Sequence, residues 1–173
     1  MSDSLDISPA FKPTIIGTKI AKRVLRFEGT GRAIVEFNKH KAKLDDYTYW
    51  YLLSCLWVSY TGWSELSLWR NLFSSGRSNR SISIMKPSEL SAYNKLADTI
   101  TVYRAKRPNE SDCIAYTLSI DVAKQWALRR NVNVIHEYRV SKKCVLALFL
   151  RRNEEEIIVL NPNDAILTNT LTV

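Results

Sequence analysis

At 173 residues the chain is long enough for one well-buried domain and too short for two independent ones. Hydrophobic residues make up 46% of it, with five Trp and eight Tyr but only five Gly and five Pro, which excludes a disordered, repeat or low-complexity architecture. The net charge of +8 points to an acidic partner, whether nucleic acid, an acidic protein surface or a phosphorylated small molecule; a solvated basic face is the plainer alternative.

The charge is unevenly placed: Lys19 to Lys43 hold eight Lys/Arg against Glu28 and Glu36, and Arg70 to Arg107 hold eight against Glu89 and Asp98. Cys55, Cys113 and Cys144 are far apart and in no CxxC spacing, so neither a disulfide scaffold nor a structural zinc site is expected. The start, Met1 to Asp6, lacks the basic and apolar parts of a signal peptide, which makes a reducing cytoplasm the expected location.

Residues 1–13 read as a loose leader ending at Pro13. From Thr14 to Phe27 the apolar residues Ile16, Ile20, Val24 and Phe27 recur at helical spacing, and Gly29 and Gly31 break that helix. A second element runs from Arg32 to His40, and Asp45-Asp46 supply the cap and first-turn charge of a long aromatic helix from Tyr47 to Tyr60. The uncharged stretch Tyr47 to Ser64 approaches the length of a membrane span, but its Ser, Thr and Gly residues make it a buried central helix; no membrane partner is expected. Helices over Glu65–Phe73 and Ser88–Ala97 follow, separated by the polar loop 74–79. The Trp and Tyr residues between Tyr47 and Trp69 have the spacing of helix packing and not of a base-stacking platform.

The pattern changes at Asp98. Thr99 to Arg104 alternates as a strand, Cys113 to Tyr116 is a second strand, and Ser119 to Arg130 is a helix with Val122, Trp126 and Ala127 inward. Strands over Val132–Val140, Val145–Leu150 and Ile157–Leu160 complete the half. The expected fold is α+β: residues 1–98 form the helical part of a single domain, packed on a strand-rich core at 99–173.

Three segments in this core carry chemistry together. Arg104 ends a strand, and a guanidinium can fork onto a diphosphate with two hydrogen bonds. Tyr116-Thr117 precedes a helix, and the hydroxyl can brace a site. Glu154-Glu155-Glu156 stands before an apolar strand, where a carboxylate can stabilise a developing cation. Arg151 and Arg152 are placed to compensate the adjacent carboxylates. A strand-end ion pair for Arg104 and a solvated charged turn for Glu154 to Glu156 are the ordinary alternatives. His40 and His136 have no acidic spacing that suggests a metal site or a triad, so neither a metal nor a histidine base is expected.

These segments resemble the ADP-ribosyltransferase superfamily, in particular its small phage-encoded members. The family pattern Tyr-Arg-Gly, then Ser-x-Thr-Leu, then Glu-x-Glu before a strand, reads here as Tyr103-Arg104-Ala105, Ala115-Tyr116-Thr117-Leu118 and Glu154-Glu155-Glu156. The resemblance covers roughly residues 66–162 and is firmest over 99–162. It implies a split β-sandwich, NAD as substrate, no metal, and mono-ADP-ribosylation of a host macromolecule in the host cytoplasm. The implied target is a protein with an acidic surface, modified at arginine in view of Glu154; nucleic acid is the other candidate. By this resemblance Glu156 is catalytic and Glu154 orients or deprotonates the acceptor. Tyr103, Arg104, Tyr116 and Thr117 bind NAD. Two departures stand out: Ala115 replaces the family's serine, which holds the catalytic glutamate, and Ala105 replaces its glycine. They keep a second reading open, a degenerate member that binds a protein or nucleic acid through its basic surface. A third reading is an NAD glycohydrolase with water as acceptor.

Overall fold

The computed structural model describes residues 6–62, 64–110 and 112–173, so the first five residues of the expected leader lie outside it. The fold is mixed α+β, with a helical N-terminal region and a C-terminal antiparallel sheet, and the chain divides into two compact units at Leu90/Ser91. No helix among the described residues is long and apolar enough to cross a membrane.

The first unit contains α1 (Ile15–Val24), α2 (Gly31–His40), α3 (Asp46–Ser59), α4 (Leu66–Phe73), α5 (Arg80–Ile84) and the start of α6 (Pro87–Asn94). Thr14 caps α1 by accepting from the Gly17 amide at 3.0 Å. A Cβ at Gly17 would stand 2.8 Å from Thr14 Oγ1 and 3.1 Å from the Thr48 side chain, so glycine permits this close approach of α1 to α3. Asp45 caps α3 as expected, accepting from the Thr48 amide at 2.9 Å.

Helix α3 is the centre of this unit. It buries Tyr49, Trp50, Leu52, Leu53 and Leu56, on more sides than one apolar stripe can cover. The buried polar ends of its aromatics find backbone carbonyls: Tyr49 Oη donates to Leu72 O at 2.8 Å and Trp50 Nε1 to Ser78 O at 3.0 Å. Trp57 packs edge-on against Trp69 and Phe73, with ring centroids 5.0 and 5.5 Å apart. Tyr49, Trp50 and Trp69 are core, Tyr47, Tyr51, Trp57 and Tyr60 are half-buried, and Trp63 lies outside the described residues.

Two helical details differ from the sequence expectation. Helix α5 was hidden because Arg80-Ser-Ile-Ser-Ile84 alternates polar and apolar, which is the period of a strand and not of a helix. Helix α6 begins at Pro87 itself and ends at Asn94, short of Ala97; Glu89 reaches back to accept from the Lys86 amide at 2.8 Å, which is half of a capping box.

The second unit is built on β1 (Thr99–Arg104), β2 (Ala115–Thr117), β3 (Val134–Ser141), β4 (Ala147–Phe149), β5 (Glu156–Ile158) and β6 (Ala165–Thr172). They form one six-stranded sheet in the order β4-β5-β2-β1-β3-β6, with every pairing antiparallel. Between β2 and β3 runs α7 (Ile120–Arg130), capped by Ser119, whose hydroxyl accepts from the Val122 amide, and terminated by Asn131 in the left-handed region. Tyr103, Ala105 and Ile135 pack with Ala123, Trp126 and Ala127 of this helix.

Strand β6 extends beyond the last element read from the sequence. It pairs along the whole of β3 with a bulge at Glu137/Tyr138. Its exposed Thr and Asn residues make it a polar edge strand with a weak hydrophobic signature. The β-branched run Ile166, Thr168, Thr170 and Thr172 after the turn at Asn161-Pro162 is the signal that marks it.

The strand pairings are not uniform. β1 and β3 share six register pairs, whereas β1 and β2 share one, Tyr103↔Thr117. Arg104 follows Tyr103 on β1, and Ala115 lies two residues before Thr117 on β2.

Candidate functional site

Residues directly opposite in an antiparallel ladder share a face of the sheet. Tyr103 is opposite Thr117, and Thr117 is opposite Glu156, so these three stand in one row across β1, β2 and β5 on one face. Arg104, opposite His136, and Tyr116, opposite Ile157, belong to the other face.

The approach to Glu156 is an unusual turn. Arg152, Asn153 and Glu155 all have left-handed backbones, with φ of 67°, 54° and 44°. A non-glycine residue in this region is disfavoured by roughly 1–2 kcal/mol, less for Asn, so three of them within four residues must be held in place by their surroundings. The holding groups come from the end of β2. Thr117 Oγ1 donates to Glu154 O at 2.6 Å and accepts from the Ser119 amide at 3.1 Å, while the Leu118 amide donates to Glu155 O at 3.1 Å. Arg152 binds the Glu154 carboxylate at 2.7 Å and lies 3.8 Å from that of Glu156. Arg152 supplies compensation of the kind expected from this pair, and Arg151 also lies over the Phe149 ring, 5.3 Å from its centroid. Glu156 itself is buried, 5% exposed, at the first position of β5.

Thr117 is wholly buried, and its hydroxyl braces the turn. Tyr103 is half-buried against the α7 cluster around Trp126. Tyr116 is buried; its ring meets Tyr138 edge-on at 5.4 Å, and its hydroxyl accepts from Cys113 Sγ at 3.3 Å. Burial pushes the Tyr116 hydroxyl well above its ordinary pKa.

Arg104 is only 6% exposed, and its guanidinium is already engaged. Nη1 donates to Ala115 O at 2.5 Å, a carbonyl of the neighbouring strand β2, and Nη2 pairs with the Glu110 carboxylate. Nε is buried and makes no hydrogen bond. A carboxylate on a guanidinium fork stands where a phosphate's oxygens can stand, so the Arg104 site has the chemistry of an anion site filled by the chain's own acid. Arg130 lies close by, donating to Ala105 O at 2.6 Å; burial, then Arg104 and Arg107, lower its pKa to about 10, while Glu154 acts in the opposite sense.

No protein-family model, curated protein or solved structure matches this chain. The functional reading therefore rests on the residues and their geometry. Among the described residues no group of three or more His, Cys, Asp or Glu could hold a metal ion. Sequence reasoning missed Glu110, whose role at Arg104 is set by a loop rather than by a motif. It also missed the strained turn, because left-handed Arg and Glu carry no compositional mark. Arg130 was visible only as the end of a helix.

Proposed function

We propose that this protein is a mono-ADP-ribosyltransferase that uses NAD to modify a macromolecule. The observation that carries the reading is the row Tyr103–Thr117–Glu156 across three neighbouring strands, with Thr117 bracing the turn that delivers Glu156. β5, β2 and β1 are neighbours in the sheet, so the three motif segments stand side by side.

In this reading the bond between nicotinamide and ribose C1′ breaks, and its electron pair leaves with neutral nicotinamide. The ribosyl cation that forms is stabilised by the Glu156 carboxylate, more in the transition state than in the bound substrate. At ~4 Å and an effective dielectric of about 20 this is worth roughly 4 kcal/mol, on the order of a thousandfold in rate. A nucleophilic atom of the acceptor then bonds to C1′, and Glu154 takes its proton. Arg104 lies on the other sheet face, so it holds the diphosphate only of a cofactor that passes around the end of β1, and the Glu110 carboxylate has to give way to phosphate oxygens. Tyr103 packs beside the ribose, and Tyr116 shapes the pocket from within the sheet. The target is an acidic protein surface attracted by the basic chain, in a cytoplasmic setting.

The deciding experiment incubates the protein with labelled NAD and a cell lysate. Wild type should transfer label to a macromolecule and release nicotinamide, and Glu156→Gln should do neither. Release of nicotinamide without macromolecular label would select the glycohydrolase reading. A second reading has its own observation: Glu110 already fills the Arg104 fork, as in a degenerate member that only binds a partner through its basic surface. Calorimetry that detects no NAD binding to wild type at millimolar cofactor would select that reading and end the enzymatic one.

A further inference from the structure

The charge of the chain is gathered on α1, α2 and their flanks, which the proposed reaction does not use. Residues 12–43 hold nine of the 25 Lys/Arg and two of the 17 Asp/Glu, a net +7 of the total +8. The other 141 residues balance 16 cations against 15 acids. Charge that served only solubility would be interspersed with acids and not collected in one place. Of the two acids, Glu36 is buried among Arg23, Lys39 and His40, so Glu28 is the exposed one. The acids that follow the segment are engaged: Asp45 accepts from the Thr48 amide, and Asp46 pairs with Arg77 at 2.8 Å.

Helix α1 buries Gly17, Ile20 and Val24. Its opposite side carries Lys19 and Lys22, continued by Arg26 in the 3₁₀ turn Leu25–Phe27; all three are exposed, and their spacing of three and four residues sets them in one row. Among the described residues none of the three has an acidic partner, and neither have Lys12 and Lys43. The Thr14 hydroxyl donates to the Asp45 carboxylate at 3.4 Å, which brings the segment ending at Lys43 to the start of α1. Glu36 joins Arg23 to Lys39 on the flank. Like charges three and four residues apart repel and destabilise a helix. The row therefore works against the fold that carries it, and a bound polyanion relieves that repulsion.

We propose that this face of α1, flanked by Lys12 and Lys43, binds the phosphate backbone of duplex nucleic acid. Lys19 to Arg26 spans roughly 10 Å at about 1.5 Å per residue, which along a duplex axis covers about three phosphates of one strand at roughly 3.4 Å each. Three observations select this polyanion. The aromatic residues of the segment are Phe27, half-buried under the Arg32 guanidinium, and Phe37, buried, so no open ring is offered to unpaired bases. Lysine supplies six of the nine cations and is depleted in protein interfaces, whose anchors are aromatic residues and arginine. A helix lying on a lipid surface needs a continuous apolar face; that of α1 is buried, and Ile15, Ile16 and Leu25 are what remains exposed.

The test titrates the full chain into a short labelled DNA duplex over a series of salt concentrations, read by fluorescence anisotropy. Wild type should bind with an affinity that falls steeply as salt rises, because each neutralised phosphate releases counterions. Lys19→Gln/Lys22→Gln/Arg26→Gln should weaken binding roughly a hundredfold at about 0.1 M salt and make the logarithmic salt slope shallower by about 2–3. The three side chains are exposed and glutamine suits a helix, so this variant should keep the wild-type melting temperature or exceed it. Lys95→Gln/Arg129→Gln/Arg139→Gln removes the same charge from exposed positions of the second unit and should leave the slope nearly unchanged.

Equal losses in the two triple variants would reduce the effect to net charge and overturn the proposal, as would wild type that fails to bind the duplex at low salt. Tighter binding to the single strand of the same sequence, to polyglutamate, or to vesicles of phosphatidylglycerol in phosphatidylcholine overturns it in favour of that other partner. The surface lies within the first unit and does not rest on the transferase reading. Duplex binding without NAD turnover leaves it standing, and turnover without duplex binding removes it alone.

Discussion

Each unit of the molecule buries a glutamate among cations, and the two are held in different ways. Glu36 sits in the regular backbone of α2, where Arg23 bonds it at 2.6 Å, Lys39 at 3.2 Å and His40 at 3.2 Å. Glu156 follows a turn with three left-handed non-glycine residues, and its carboxylate lies 3.8 Å from an arginine that binds Glu154 more closely. Two close cations, Arg23 and Lys39, and the His40 ring hold Glu36, and Arg23 links α1 to α2. A strained, braced turn that delivers a carboxylate to the end of a strand is instead the kind of place where strain is retained for use. Burial is common to both carboxylates; the backbone leading to each is what differs.

The largest expected effect tests this contrast directly. Glu156→Gln keeps the shape and removes the charge, so nicotinamide release should fall by roughly a hundredfold to a thousandfold. The same change at Glu36 should leave turnover untouched and lower the melting temperature. If Glu156→Gln lowers the melting temperature as Glu36→Gln does and leaves wild-type turnover intact, the two glutamates are both structural and the comparison collapses.

The brace comes next. Thr117→Val preserves volume and removes the hydroxyl that bonds Glu154 O and the Ser119 amide. Leaving those buried groups without their partner should cost about 1–3 kcal/mol, measurable by denaturant unfolding monitored through the second unit. Turnover should fall with it, because the turn that orients Glu156 is loosened. Full stability in Thr117→Val would mean that the Leu118 amide and Arg152 hold the turn without help.

How much of this could be read in the chain follows the range of the forces involved. Helix α3 was legible because Asp45, the aromatic run and Gly62 are local signals of a cap, a core and an end. The strands around Arg104, Thr117 and Glu156 were legible because apolar runs and turn residues bound them. Strand β6 was not, since its polar residues suit an edge whose partner β3 lies 31 residues away at the Glu137–Thr168 contact. Glu110 on Arg104 is a tertiary outcome without a residue pattern. The spacing of the motifs placed Thr117 and Glu156 in the same site; the pleat of the sheet, which the motifs do not encode, sets Arg104 on the other face.

The pH dependence of the first unit sharpens the comparison at smaller scale. Arg23, then Lys39, lower the Glu36 pKa from 4.5 to about 2, against the opposing effect of burial. A carboxylate whose folded pKa is depressed stabilises the fold above its unfolded pKa and loses that contribution as pH falls through the folded value. The loss should therefore fall between about pH 4.5 and 2 and be absent in Glu36→Gln. The Arg23 and Lys39 side chains are 61% and 62% exposed, so added salt should shrink the effect. An acid transition identical in the two proteins, at either salt level, would show that the clamp contributes nothing through its charge.

The smallest expected effect concerns Ala115. Its register partner is Ile158, while Glu156 stands opposite Thr117, so Ala115 and Glu156 are diagonal neighbours on one face. Such neighbours have Cα atoms roughly 7–8 Å apart, a gap that Ser and Glu side chains leaning toward each other can close. Ala115→Ser adds one oxygen at a half-buried position, and its main-chain carbonyl can still accept from Arg104. If the new hydroxyl reaches Glu156, turnover should rise by about tenfold at most, near 1.4 kcal/mol, with little change in melting temperature. The gain should vanish in Ala115→Ser/Glu156→Gln, since it acts through that carboxylate. A rise that persists in the double variant would locate the benefit elsewhere. No rise at all would mean that Thr117 and the Arg152 turn already fix Glu156 as firmly as a serine would.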